Sequence, residues 1–178
     1  MTIILISNTN EPTSGWGTLT HNHALTLHRH DVPFVLLLPK NAKRLSVPYN
    51  DKIKYILPDL PLSFNGLGGI LSLPRLWPKI NLESREPTVV HSLVDFPYAV
   101  LAWRIARKYK LPFILSALGT YSVRPFTNFI DRHLFLPVYR NADLIIAISH
   151  FTAQRMEAAA GESRKNKIIT INLPSTPQ

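Results

Sequence analysis

The sequence contains no cysteine. That excludes a disulfide scaffold, a thiolate metal site and a cysteine nucleophile, and it suits a reducing compartment. Long apolar runs are missing too: none approaches the roughly 20 residues of a membrane-spanning helix. Residues 2–7, TIILIS, lack the length, basic leader and cleavage site of a signal peptide. We therefore expect a cytosolic protein. Acidic residues are scarce, with 11 Asp and Glu against 20 Lys and Arg, a formal charge of +9. That balance fits attraction to phosphate groups or to an anionic membrane face. It fits a solvated surface equally well, because the basic residues are scattered. The densest run, Arg104, Arg107, Lys108 and Lys110, falls on one helical stretch.

What is present is an alternation of strands and helices over 178 residues, a length that fits one domain. Ile3 to Ile6, Phe34 to Leu38, Thr88 to Ser92, Pro112 to Ser116, Leu144 to Ile148 and Lys167 to Ile171 read as strands, the first of them suited to burial on both faces. Residues 52–57 alternate like a half-exposed strand. Helices are expected over roughly 17–30, from Asp95 to Tyr109, over about 126–140, and from Ser149 to Gly161. Asp95 is the expected cap of its helix, with Pro97 in the first turn. Tyr98, Leu101, Ala102, Ile105, Ala106 and Tyr109 form the apolar stripe there, and Arg104, Arg107 and Lys108 point away from it. Residues 58–82 read as a loop with a short helix. Strands separated by helices of this length predict an α/β fold with a doubly wound, mainly parallel sheet. The domain is expected over residues 1–172, followed by a polar, proline-containing linker over 173–178.

In such a sheet, ligands bind outside the carboxyl ends of the strands, so the loops after strands are the candidates. The first is Ser14-Gly15-Trp16-Gly17-Thr18, where glycines permit close backbone approach and a helix N-terminus faces anions. A dinucleotide fingerprint would need a third glycine at position 20, which is Thr20, and an acid after the second strand, where Pro39-Lys40 stands. No tyrosine is followed four residues later by lysine, which also weighs against a nicotinamide-dependent oxidoreductase. The second loop holds His91, Asp95 and Tyr98; His91 is either a polar contact or a histidine hydrogen-bonded at the core rim. The third is Gly119-Thr120-Tyr121 with Arg124, a residue able to hold a phosphate bidentately. The fourth is Ser149-His150, where Ser149 also reads as a simple N-cap.

Four segments carry a family resemblance: SGWGTLTHNHALTL, VVHSLVDFPYAVLAWRIARKYKLPFI, LSALGTYSVRP and ADLIIAISHFTAQRM. Together they resemble the N-terminal domain of a family-4 glycosyltransferase of the GT-B fold. The likeness covers nearly the whole chain and is weakest over 45–85. It implies a Rossmann-like domain forming the acceptor half of a two-domain enzyme, with a donor-binding C-terminal domain to follow. It implies sugar transfer, with retention, from a nucleotide-sugar to a glycan or lipid-linked acceptor. Gly15, Trp16, Gly17 and Thr18 would lie near the donor phosphates. His91, Asp95, Gly119, Thr120, Tyr121, Arg124, Ser149 and His150 would face the acceptor. The family often carries a histidine just before the Gly-Thr-Tyr segment; here that position is Leu118, which cannot make the same polar contact.

No catalytic residue is assigned, nor any metal, cofactor or nucleic-acid partner. The alternative is a non-catalytic sugar- or nucleotide-binding module on the same fold. Residues 60–80, apolar with Arg75, Trp77 and Lys79 at one end, are either packed on the sheet or a contact with a lipid-linked acceptor or, peripherally, with the inner membrane face.

Overall fold

Alternate side chains of the first strand enter different cores. Ile4 and Ile6 join one cluster with Leu101, Ile105 and Phe135, whereas Leu5 joins another with Ala24, Phe34 and Leu36. A strand that is apolar at every position and buried on both sides belongs inside a parallel sheet covered by two helical layers. The computed structural model, which describes residues 2–77, 87–161 and 167–171, has that arrangement. Its strands are β1 (Thr2–Ile6), β2 (Phe34–Pro39), β3 (Ile53–Leu57), β4 (Pro87–Ser92), β5 (Phe113–Ala117), β6 (Leu144–Ala147) and β7 (Ile168–Thr170). Its helices are α1 (Gly15–Arg29), α2 (Leu67–Ser72), α3 (Tyr98–Tyr109), α4 (Thr120–Val123), α5 (Phe129–Asn141) and α6 (His150–Ala160). The sheet order is β3-β2-β1-β4-β5-β6-β7, and every pairing is parallel. This is a Rossmann-like α/β fold.

The helix ends follow the local chemistry. Ser14 caps α1 by accepting from Gly17 N at 3.1 Å, and Ser149 caps α6 by accepting from Thr152 N at 3.1 Å. Gly161 closes α6 in the left-handed conformation, with φ +73°.

Three expectations are corrected. Asp95 does not cap α3: Pro97 occupies the N-cap position without a side-chain bond, and the Asp95 carboxyl turns to a distant loop. Arg104 does not simply point outward. Its Nη1 donates to Leu76 O at 2.9 Å and its guanidinium lies 3.5 Å over Trp77. Arg107 and Lys108 are exposed as expected. The helix expected over 126–140 begins at Phe129, because Pro125 sits in a 3₁₀ turn over Arg124–Thr127 and Asn128 is extended. That break aims Asp131 inward, where it accepts from Ser63 Oγ at 2.6 Å and Phe64 N at 2.7 Å. It thereby ties the loop before α2 to α5.

The short helix expected within 58–82 is α2, with a 3₁₀ turn over Leu73–Leu76. Lys79 and the linker expected over 173–178 lie outside the described residues. Among the described residues, no helix is long and apolar enough to cross a membrane.

Candidate functional site

The sheet order reverses between β1 and β4. The chain winds one way from β1 to β3 and the other way from β4 to β7. The loops leaving β1, β5 and β6 therefore splay apart at one rim and leave room between them. Two cavities lie there. The first, about 350 Å³, is lined by Gly15 and Trp16 after β1, Leu118 and Tyr121 after β5, and Ile148 after β6. The second, about 340 Å³, is lined by Gly119, Thr120, Arg124, Phe151, Thr152 and Arg155. The turn from Gly119 through α4 divides them, with Tyr121 on one side and Thr120 on the other. A larger cavity of about 580 Å³ lies along α3, between Trp77 and Trp103. Its α3 residues run from Leu101 to Lys108, down the helix and away from the carboxyl rim.

The two glycines after β1 differ in what surrounds them. A Cβ on Gly15 would meet nothing within 4 Å, so this backbone is open to the cavity. A Cβ on Gly17 would sit 1.7 Å from Glu11 O, so this position is closed by the chain itself. Thr18 faces the same way, donating from Oγ1 to Pro12 O at 3.1 Å. Hence Gly15 and Trp16 present surface to the cavity, while Gly17 and Thr18 hold the loop against the start of α1. Trp16 meets Tyr121 edge-on, with ring centroids 4.8 Å apart, and this pair joins the β1 and β5 loops.

Asp95 lies beneath the dividing turn. Its oxygens accept from Leu118 N at 3.1 and 3.3 Å, and Ser122 Oγ donates to Oδ1. Ser122 Oγ in turn accepts from Gly119 N at 3.2 Å. One buried carboxyl thus fixes the backbone from Leu118 to Ser122, including Gly119 at φ +120°, a conformation that favours glycine. Burial pushes the Asp95 carboxyl up to about 7, against the smaller opposite pull of the Ser122 and Leu118 hydrogen bonds.

His91 is also interior. Its Nε2 shares a hydrogen bond of 2.9 Å with Ser116 Oγ, and its ring meets His23 at 5.4 Å. Burial, with a smaller contribution from His23, pushes it down to about 3, so it is a neutral imidazole. His91 and Asp95 therefore line neither cavity.

Ser149 spends its hydroxyl on the α6 cap and on Thr152 Oγ1 at 3.0 Å. His150 is exposed, with Nδ1 3.4 Å from Thr170 Oγ1 beside β7. Of the candidate residues, Gly15, Trp16, Gly119, Thr120, Tyr121 and Arg124 are brought to the cavities. Arg155 was not among the candidates. Its signal was the spacing of four from Phe151, which puts both on one face of α6. Among the described residues, no three His, Cys, Asp or Glu side chains converge as a metal site.

The model for Glycosyltransferase Family 4 matches residues 13–172. Anabaena HepE in complex with UDP and glucose superposes with a TM-score of 0.62 at 14% identity, over 96% of this chain and 44% of HepE. HepE in complex with UDP gives a TM-score of 0.52 at 11% identity, over 96% of this chain and 43% of HepE. The chain spans less than half the length of these structures, and at such identities the likeness is one of fold. A search of curated protein sequences finds no match. The family match runs from the glycine loop through β7 and takes in both rim cavities: the chain belongs to Glycosyltransferase Family 4.

Proposed function

We propose that this chain is the acceptor-side domain of a retaining glycosyltransferase, working in the cytosol with a second, donor-binding domain. It would move a sugar from a nucleotide-sugar to a glycan or lipid-linked acceptor. The observation that carries this reading is the pair of adjacent cavities at the carboxyl rim of a family-4 domain. HepE, a structural relative, is seen in complex with UDP and glucose, which supports a nucleotide-sugar as donor. In this reading Gly15 and Trp16 face the donor, and Gly119, Thr120, Tyr121 and Arg124 face the acceptor. Gly17, Thr18, Asp95 and Ser149 position those groups through the bonds described above. Gly15→Ala tests the donor side. Its methyl would enter open space, so folding is untouched, while transfer in the two-domain enzyme is expected to fall about tenfold, some 1.4 kcal/mol of lost transition-state stabilisation. The assay mixes this chain with a matching C-terminal half and follows transfer from a panel of nucleotide-sugars. A stable complex that transfers nothing would count against the enzyme reading.

Leu118 favours a second reading, a binding module without chemistry. It lines the first cavity with an apolar side chain where a polar contact to the transferred sugar is expected. Calorimetry distinguishes the two. Binding of a nucleotide-sugar without transfer in the reconstituted protein supports the module.

We also place the domain against the inner face of a membrane. Leu67 and Leu71, one helical turn apart on α2, are 76% and 71% exposed, and Trp77 beyond them is 62% exposed. Arg75, Arg107 and Lys108 supply positive charge nearby. The wild type is expected to sediment with phosphatidylglycerol vesicles but not with phosphatidylcholine vesicles. The double variant Leu67→Ser, Leu71→Ser is expected to remain in solution. Equal behaviour of the two proteins with phosphatidylglycerol would remove this contact.

A further inference from the structure

The second cavity has a charge and shape that the reading above does not use. Two guanidinium groups reach it from different elements, Arg124 after α4 and Arg155 on α6. No acidic side chain lines it among the described residues. The ion pairs found among the described residues, Lys43 with Glu11 and Lys52 with Asp51, lie elsewhere and involve neither arginine. Each guanidinium instead rests over an aromatic ring, Arg124 at 5.9 Å from the Tyr121 centroid and Arg155 at 5.4 Å from that of Phe151. Stacking of this kind restricts a long side chain while leaving its N–H groups free to donate.

The remaining walls suit a compact polar ligand. Gly119 has no side chain, and a Cβ there would meet nothing within 4 Å, so a ligand can rest against its backbone. Thr120 exposes its hydroxyl at the same edge. The positive end of the α6 dipole faces the cavity through Phe151 and Thr152, in the first turn of the helix. Phe151 is 66% exposed and offers an apolar face at the mouth. A volume of about 340 Å³ lies in the range of small-molecule sites.

We infer that this cavity is a subsite for a phosphate monoester carried by the acceptor, held between Arg124 and Arg155. The inference rests on the acceptor-side reading and gives it a substrate class, a phosphorylated sugar or polyol. Two planar forks reaching one cavity from different elements match a dianionic phosphate, which offers several acceptor oxygens at once. The division by α4 then has a purpose. The phosphate anchors the acceptor beyond Thr120, and the hydroxyl to be glycosylated reaches around Gly119 towards Leu118 and Tyr121. Binding energy collected at a remote charged group would thereby orient the reacting end.

The test uses the full chain and calorimetric titration with glucose 6-phosphate, glucose, and inorganic phosphate. Vesicles containing phosphatidic acid form a separate arm, to separate a soluble phosphate monoester from a lipid headgroup. Glucose 6-phosphate is expected to bind, glucose not to bind, and added salt to weaken binding. Arg124→Gln and Arg155→Gln are each expected to weaken it about tenfold, and the pair about a hundredfold, the scale of one and two charge-assisted hydrogen bonds. Both side chains are exposed, so neither variant should shift the melting midpoint without ligand. Equal binding of glucose and glucose 6-phosphate overturns the inference, as does unchanged affinity in the double variant. Failure of all the phosphate probes, or binding to the vesicles alone, also overturns it. The parent reading fails differently, by absence of transfer in the reconstituted enzyme, which leaves phosphate binding intact.

Discussion

Gly17→Ala is expected to lower the melting midpoint by about 8–16 °C, a loss of about 4 kcal/mol at roughly 2–4 °C per kcal/mol for a domain of this size. The methyl group would lie 1.7 Å from Glu11 O and 2.6 Å from Glu11 C, inside any non-bonded contact. The obstacle is backbone, not the far end of a flexible side chain, so the strain cannot be relieved by a rotamer change. Overpacking of this sort costs about 1–3 kcal/mol where neighbours can yield, and here the value belongs at or above the upper end. The loop from Glu11 to Ser14 would have to move, and the Ser14 cap on Gly17 N would move with it, adding about 1 kcal/mol. Gly15→Ala is the internal control: two residues earlier, the same added methyl meets open space. Thermal denaturation of the two variants side by side checks the argument. If both melt within about 2 °C of the wild type, the close approach at Gly17 is not what holds the loop.

That pair of glycines shows where the sequence was legible and where it stopped. Spacing alone marked both as places where a ligand approaches backbone. Spacing carries no information about which face of the turn is already filled by the chain, and Glu11 fills it at Gly17. The strands were easier, because period-two burial into two separate cores leaves a run such as Ile3–Ile6 no polar position, and a doubly covered parallel strand tolerates that. Asp95 misled for a different reason. An aspartate just before a helix is a good cap by local rules, but a buried carboxyl takes the partners that leave no donor unsatisfied. Those partners, Leu118 and Ser122, are 23 and 27 residues away. Pairings at that separation are written in the fold and not in the local pattern. His91 is the same case. A polar residue in an apolar strand needs a partner, and its partner, Ser116, lies on the adjacent strand β5.

Asp95 and His91 together lead to the other large expected effect, a stability profile that flattens because two opposed slopes cancel. Native Asp95 holds its proton up to about pH 7, whereas an unfolded aspartate releases it near the ordinary 3.8. Its contribution is full below 3.8 and is lost as the pH rises through 7. Native His91 refuses a proton until about pH 3, whereas an unfolded histidine takes one near 6.5. Its contribution is full above 6.5 and is lost as the pH falls through 3. Each slope is about 1.4 kcal/mol per pH unit, and they have opposite signs between pH 4 and 6.5. Asp95→Asn removes one slope while keeping an oxygen for Leu118 N. Its stability is expected to fall by about 3 kcal/mol as the pH drops from 6.5 to 4. His91→Gln removes the other, and its stability is expected to fall by a similar amount as the pH rises over the same range. Asp95→Ala strands the Leu118 N–H and the Ser122 hydroxyl, at about 1–3 kcal/mol each, and should lose stability at every pH. Urea unfolding of the four proteins at several pH values between 4 and 7 separates these outcomes. If Asp95→Asn and His91→Gln slope in the same direction, the two groups do not oppose each other. If they slope apart, the stability that buried His91 loses as the pH falls through mild acid is returned by the protonated Asp95 carboxyl that holds the turn between the two cavities.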